Sequence, residues 1–256
     1  MQPIRLRAKH FLIDMDGVIY RGDKLIEGAD EFIARLKAKK KRFLFLTNAS
    51  SKTPRELQAK LLRLGIEVSA ECFYTSALAT AAFLDAQHPR GKAYVVGEKG
   101  LVAALRGVGY QITERRPDYV VVGQTEDFSK LKKATQLISQ GIPFIATNPD
   151  VTGPAEDGIE PAMGAIAAMI EKATGKTAYF IGKPNPLMMR KALQRLRVHS
   201  SETAIIGDRM DTDIVAGVEA GLETILVLSG VTCLEDLARY PYRPDLVLRS
   251  VADLKL

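Results

Sequence analysis

The chain has 256 residues, 46% of them hydrophobic, and 36 Lys+Arg against 30 Asp+Glu give a net charge of +6. That is enough for one large domain or two modest ones. No run approaches the roughly 18 apolar residues that span a bilayer as a helix, and a membrane partner is not expected. The basic stretch Met1 to Lys9 is followed by too short and too polar a segment for a signal peptide. Two distant cysteines, Cys72 and Cys233, support neither a disulfide framework nor a zinc site, so a cytoplasmic location is expected. The positive balance suits nucleic acid or small phosphorylated anions. Its densest run, Lys37 to Arg42, closes a predicted helix, where cations complement the helix dipole. No aromatics interleave with it as a stacking platform requires, and a nucleic-acid partner is not expected.

Taken in chain order, short apolar runs alternate with amphipathic ones. A strand over Phe11–Met15 runs into Asp14-Met15-Asp16-Gly17-Val18, and a helix follows over Glu31–Lys40. The strand Arg42–Thr47 ends in Thr47-Asn48. The helix Pro54–Leu64 opens on Thr53-Pro54-Arg55-Glu56, with Thr as cap, Pro at the first position and Glu reaching back. Strands over Ala93–Gly97, Tyr119–Gly123 and Pro143–Thr147 alternate with helices over Lys99–Val108, Leu131–Gln140 and Ala162–Ala173. The strand Ala178–Gly182 ends in Gly182-Lys183-Pro184 and precedes the helix Pro186–Val198. Last come the strand Ala204–Gly207, which runs into Asp208, the helix Asp213–Ala220 and the strand Thr224–Leu228. This order implies parallel sheets sandwiched by helices. The stretch from Thr80 to about Thr177 lacks an acidic strand end. The expected organisation is a Rossmann-like α/β core, residues 1–79 and 178–256, with an inserted α/β cap over 80–177.

In sheets of this class ligands gather beyond the carboxyl ends of the strands. Asp14 and Asp16, two apart on extended chain, share a side, and two carboxylates so close repel unless a cation or shared proton compensates. Asp14 and Asp208 can hold one Mg²⁺ through oxygen, while Thr47, Asn48 and Lys183 can donate to a phosphate as its charge develops. Each has a plain reading by itself: Asp16-Gly17 and Thr47-Asn48 as turn formers, Lys183 as a solvated lysine, Asp208 to Asp213 as a helix start. In this order on successive strand ends, the set points to phosphoryl transfer.

Asp14-Met15-Asp16-Gly17-Val18, Thr47-Asn48, Lys183 and Gly207-Asp208-Arg209-Met210-Asp211-Thr212-Asp213 resemble the four ordered motifs of the haloacid dehalogenase superfamily. The long insertion and Gly182-Lys183-Pro184 resemble its NagD-like phosphatases, which carry a C2-type α/β cap. Phe73-Tyr74-Thr75-Ser76 and Ala146-Thr147-Asn148-Pro149-Asp150 extend the likeness. The resemblance implies a Mg²⁺-dependent phosphoric monoester hydrolase in which Asp14 is the nucleophile that becomes an aspartyl-phosphate. It makes Asp16 the general acid and base, with its carbonyl on the metal beside Asp14 and Asp208, and places Asp213 behind the metal. Thr47, Asn48 and Lys183 then cradle the phosphate, and residues among Arg209, Met210, Asp211 and Thr212 touch substrate. The expected partner is a small phosphorylated metabolite such as a nucleoside monophosphate or a sugar phosphate; oligomeric state is not legible.

The rival readings are a dehalogenase, which has no need of Asp16; a phosphomutase, whose relatives place a helical cap where only Gly17 to Leu46 stands here; and a non-catalytic phosphometabolite sensor, which needs neither Asp14 nor Asp16. Neither G-x-G-x-x-G nor a phosphate-binding G-x-x-x-x-G-K-[ST] follows a strand. An insertion folded over the site would set the leaving group. Its expected reaching loop, Asn148–Glu160, carries acids at 150, 156, 157 and 160 and no Lys or Arg, which favours monophosphates over diphosphates. Close relatives read Tyr-Pro-Ser after Thr-Asn and Gly-Asp-Asn-Leu in the last motif. Here these are Ala49-Ser50-Ser51 and Gly207-Asp208-Arg209-Met210, so substrate choice does not transfer from any one member.

Overall fold

The computed structural model describes residues 7–155 and 158–256. The chain divides into two compact units, one of Met1–Thr47, Leu57–Tyr74 and Lys183–Leu256, the other of Asn48–Glu56 and Thr75–Gly182.

The first unit is built on a six-stranded sheet in the order Leu246–Leu248, Glu223–Val227, Thr203–Gly207, His10–Ile13, Phe43–Thr47, Phe73–Thr75. Its first five strands pair in parallel. His10–Ile13 lies between two parallel neighbours, with Phe11 opposite Phe43 and Ala204, and Ile13 opposite Phe45 and Ile206. A central strand covered on both faces reads as a continuous apolar run, and Phe11, Leu12 and Ile13 are fully buried. The helix Ala29–Ala38 buries Ala29, Phe32, Ile33 and Leu36, the i, i+3, i+4, i+7 stripe of a core-facing helix. It has Asp30 and Glu31 in its first turn and Arg35 and Lys37 in its last, matching its dipole. Phe11, Phe32, Phe45 and Phe73 share one apolar cluster, with the Phe45 and Phe73 rings stacked at 5.2 Å.

The second unit has a five-stranded parallel sheet in the order Tyr179–Phe180, Phe144–Ala146, Tyr119–Val122, Lys92–Val96, Gln111–Ile112. Val96, Val120, Val122, Leu131, Ala134, Ala167 and Ile170 belong to its core. The expected capping box forms: Thr53 Oγ1 accepts from the Glu56 amide at 3.3 Å, and Glu56 Oε2 accepts from the Thr53 amide at 2.8 Å.

Several elements differ from expectation. The strand expected over Ala178–Gly182 opens the second part of the expected core. It forms at Tyr179–Phe180 and pairs with Phe144–Ala146 of the second sheet, because an apolar run does not name its neighbour. Asn148–Glu160 is not an open loop. Thr152–Ala155 and Gly158–Pro161 form an antiparallel pair, with Gly153 opposite Glu160; Glu156 and Asp157 lie outside the described residues. A helix over Ser76–Gln87 has no counterpart in the sequence reading. Its small and apolar residues run round the whole cylinder, so no stripe marks it. Among the described residues no helix is long and apolar enough to cross a membrane.

Candidate active site

The strand that opens the first sheet stops at Ile13, earlier than expected. The Asp14 amide still continues the ladder by donating to Ile206 O at 2.8 Å. This places the Asp14 carboxylate beyond the carboxyl end of a central strand. The chain then turns at once: Ile19 N donates to Met15 O at 2.8 Å, Gly17 N donates to Tyr20 O at 2.8 Å, and Gly17 sits at φ 77°. A side chain is excluded at Gly17, since a Cβ there would lie 2.5 Å from Asp208 Oδ2. Asp16 follows on the same turn, half-buried.

Lys183 is the centre of the cluster. It is 2% exposed. Its Nζ donates at 2.6 Å to Asp14 Oδ1, at 2.6 Å to Asp213 Oδ1 and at 3.2 Å to Leu46 O. Burial alone would lower the lysine's pKa, but the charges of Asp14 and Asp213 outweigh it and hold the ammonium well above its ordinary value. Burial raises the Asp14 carboxyl, Lys183 opposes this, and the charges of Asp213 and Asp208 add to the rise.

Asp208 closes the strand Thr203–Gly207 and is 2% exposed. Burial and the neighbouring Asp213 charge push its carboxyl up to about 7, against the amide of Val231, which donates to Oδ2 at 2.7 Å. Asp213 Oδ2 accepts from the Arg209 amide at 3.3 Å. It sits in a π-helical turn over Met210–Ile214 that leads into the helix Val215–Ala220. Gly207 is required under it, because a Cβ there would meet the Asp213 side chain at 2.1 Å.

Asp14, Asp208 and Asp213 each offer a carboxylate oxygen within 4.8 Å of the other two, all three buried. Three buried hard-oxygen donors around one lysine leave negative charge in excess, and a small divalent cation such as Mg²⁺ suits that donor set. The Asp16 carboxylate is not among the three; the expectation for Asp16 concerned its carbonyl. Asp213, expected behind a metal, is engaged by Lys183 and the Arg209 amide, a position that orients it.

Thr47 is buried at the end of its strand. Asn48 begins the second unit, where its Nδ2 donates to Asp150 Oδ1 at 3.1 Å and its carbonyl accepts from Ser76 Oγ and Asn148 Nδ2. Arg209 pairs with Asp211 through two hydrogen bonds at 3.1 and 2.9 Å. Met210 is fully buried against Ile214 and Leu226. Its side chain belongs to the core. Thr212 is 4% exposed.

A segment without a sequence motif, Ser229-Gly230-Val231-Thr232 after the strand Glu223–Val227, also reaches the site. Ser229 Oγ donates to Gly17 O at 2.6 Å, the Thr232 amide donates to Asp208 O at 3.1 Å, and Arg21 donates to Gly230 O at 2.7 Å. A Cβ on Gly230 would lie 1.9 Å from Asp208 Oδ2. A polar run with a glycine at a strand end was the available signal. Gly230→Ala is therefore expected to displace the Asp208 carboxylate and weaken Mg²⁺ binding by roughly 10- to 100-fold, the range for groups that orient metal ligands. Mg²⁺ titration of activity and of thermal stability measures this, and an unchanged half-saturation would sink it.

The family model described as "haloacid dehalogenase-like hydrolase" matches residues 11–111, and a second, HAD-hydrolase-like model matches residues 180–254. A dihydroxyacetone phosphatase of Corynebacterium glutamicum is 49% identical over 246 residues, 95% of this chain and 90% of that protein. The ribonucleotide monophosphatase NagD of Escherichia coli K12 is 43% identical over 97% of this chain and 99% of its own. A solved structure of NagD from Escherichia coli K-12, 42% identical, superposes with a TM-score of 0.90, covering 97% of this chain and 98% of that one. An acid sugar phosphatase of Staphylococcus aureus is 43% identical over 90% of each chain. With the buried carboxylates at the strand ends and this likeness over nearly its whole length, the chain belongs to the haloacid dehalogenase-like hydrolases, among the NagD-like phosphatases.

Proposed function

We propose that the protein is a Mg²⁺-dependent phosphatase of small phosphorylated metabolites that works through an aspartyl-phosphate on Asp14. The observation that carries this reading is the Lys183 ammonium held 2.6 Å from both Asp14 and Asp213 in a buried site. A sensor has no use for a carboxylate aimed and charge-balanced in this way. Asp14 attacks phosphorus, an O–P bond forms to its carboxylate, and the ester O–P bond breaks. Asp16 delivers a proton to the departing oxygen. It then removes one from the water that attacks the phosphoryl group, which frees orthophosphate and regenerates Asp14. Thr47 and Lys183 are the phosphate donors that the first unit itself supplies. Mg²⁺, when bound, would neutralise the charge of the incoming phosphate; Asp14, Asp208 and the Asp16 carbonyl would hold it, with Asp213 behind them.

The relatives' names span a triose, ribonucleotides and acid sugars. This supports monoesters of small hydroxylated metabolites as the substrate class. A cytoplasmic location fits the free thiols of Cys72 and Cys233. Phosphate release from a panel of nucleoside monophosphates, sugar and triose phosphates and an aryl phosphate tests the reading; a folded, Mg²⁺-loaded protein inert on all of them would overturn it.

Asp16 has its own signature. Asp16→Asn is expected to lose roughly 10²- to 10⁴-fold on alkyl phosphates, whose leaving oxygen needs a proton. On 4-nitrophenyl phosphate, whose leaving group needs none, the variant is expected to release a burst of nitrophenol near one per chain and then stall. Equal losses on both substrates with no burst would remove the acid–base role.

The Asp208 carboxyl, raised to about 7, links metal to pH. A carboxyl raised above its unfolded value binds a proton in the folded state that the unfolded state has lost. The metal-free protein is therefore expected to lose stability as pH rises from about 4 to about 7. Mg²⁺ should cancel that loss, and its stabilising shift should be larger above pH 7 than below. Melting curves with and without EDTA check this against Asp208→Asn, in which the difference should vanish; a Mg²⁺ shift independent of pH would contradict it.

A further inference from the structure

At the opposite ends of the same core strands, an open groove of about 700 Å³ is lined by His10, Arg42, Arg190, Arg197, His199 and Glu202, with Gln194 and Ser200 between them. All these residues belong to the first unit. The volume is that of a small-molecule site. Its charge is one-sided. Glu202 is the one carboxylate in the lining, and Lys9 already pairs with it at 2.5 Å. None of the three arginines has a carboxylate partner among the described residues.

Arg42 is braced. Its Nη1 donates to Leu196 O at 3.3 Å and to Arg197 O at 3.0 Å, which ties the start of the strand Phe43–Thr47 to the end of the helix Pro186–Leu196. A cation on the last carbonyls of a helix has a structural explanation in the helix dipole, so Arg42 alone argues nothing. The side chains of Arg190 and Arg197 make no such bonds, and neither guanidinium has a hydrogen-bond or ion-pair partner among the described residues. Arg197 is held at φ 55° at the helix end, which fixes the point from which its side chain starts. The His10 ring adds a second unexplained group: it makes no hydrogen bond, and its Nδ1 is buried without a partner.

We propose that this groove, with Arg42, Arg190 and Arg197 as its donors, is a second anion site that binds a small metabolite carrying more than one phosphate group. Guanidinium groups match phosphate with paired, charge-assisted hydrogen bonds, and three of them supply donors and positive charge enough for two phosphate groups at once. The lining contains no Phe, Tyr or Trp, the rings on which successive bases of a single strand stack best. The groove opens at the amino ends of His10–Ile13, Phe43–Thr47 and Thr203–Gly207, whereas Asp14, Thr47 and Asp208 lie at their carboxyl ends. Occupancy there leaves the carboxylate cluster open.

Titration calorimetry on the Mg²⁺-loaded protein, with its active site filled by beryllofluoride, isolates this site. The probes are fructose 1,6-bisphosphate and orthophosphate. The bisphosphate is expected to bind once per chain, at least 10-fold more tightly than orthophosphate. Arg190→Glu/Arg197→Glu should weaken it at least 10-fold, with the rate on 4-nitrophenyl phosphate unchanged. That rate also reports that the double variant folds, and Arg190→Gln serves as a milder second variant. No binding of the bisphosphate to the blocked wild type, or equal binding to wild type and both variants, would overturn the proposal. Orthophosphate binding as tightly as the bisphosphate would overturn the requirement for more than one phosphate group.

Discussion

Asp14→Asn is expected to abolish phosphate release, by on the order of 10⁴-fold or more, as loss of a nucleophile does when the residues around it act as one unit. The fold should persist. The amide keeps the shape of the carboxylate, and Lys183 keeps its 2.6 Å bond to Asp213, so the ammonium is not stranded. In the wild-type protein, burial raises the Asp14 carboxyl, meaning that its charged form is held at a cost. The neutral amide removes that cost, and the metal-free variant should melt no lower than wild type. Steady-state release, melting temperature and trapping of a hydroxylamine-sensitive acyl phosphate measure the three parts. A variant that turns over within 10-fold of wild type would remove the aspartyl-phosphate mechanism while leaving the family assignment intact.

Lys183→Met is expected to damage both fold and function. It leaves Asp14 and Asp213 facing each other without the cation between them, and Leu46 O loses a donor. Breaking a buried pair by removing one partner costs about 3–5 kcal/mol. Because the stranded charges are carboxylates, protonation relieves them. The stability gap between variant and wild type should therefore be wider at pH 8 than at pH 5, and Mg²⁺ should narrow it by supplying positive charge. Activity should fall by roughly 10²- to 10³-fold, the effect of losing one preorganised donor to developing charge. Urea unfolding at both pH values, with and without Mg²⁺, is the measurement. A gap that is the same at both would mean that Lys183 is not the counter-charge of this site.

These two outcomes bear on one device: a buried lysine that lets three carboxylates converge without a fold-breaking charge. Nothing local in Gly182-Lys183-Pro184 announces it, since a lysine before proline is ordinarily solvated. Its place in the order of motifs made it visible, although the strand before it, Tyr179–Phe180, belongs to the second sheet.

What the sequence determined by itself is what local pattern encodes. Continuous apolar runs at Phe11, Phe43 and Ala204 mean strands covered on both faces, and such strands are parallel and central. The stripe of Phe32, Ile33 and Leu36 and the box of Thr53 with Glu56 mean helices and their starts. Acids and donors that close those strands point to one shared site, and Asp14, Asp208, Asp213 and Lys183 do meet. The tertiary structure decided everything that depends on which element neighbours which. It gave Tyr179–Phe180 to the second sheet, because pairing is a property of two strands and only one is written at any place in the chain. It folded Thr152–Ala155 onto Gly158–Pro161, where turn-rich composition had looked like open loop, and it buried Met210, which stands among polar motif residues. It also brought Gly230 and Val231 from a later strand end onto Asp208. A carboxylate's pKa depends on burial and on charges brought in from elsewhere in the chain, so the value near 7 at Asp208 is a property of the packed site alone.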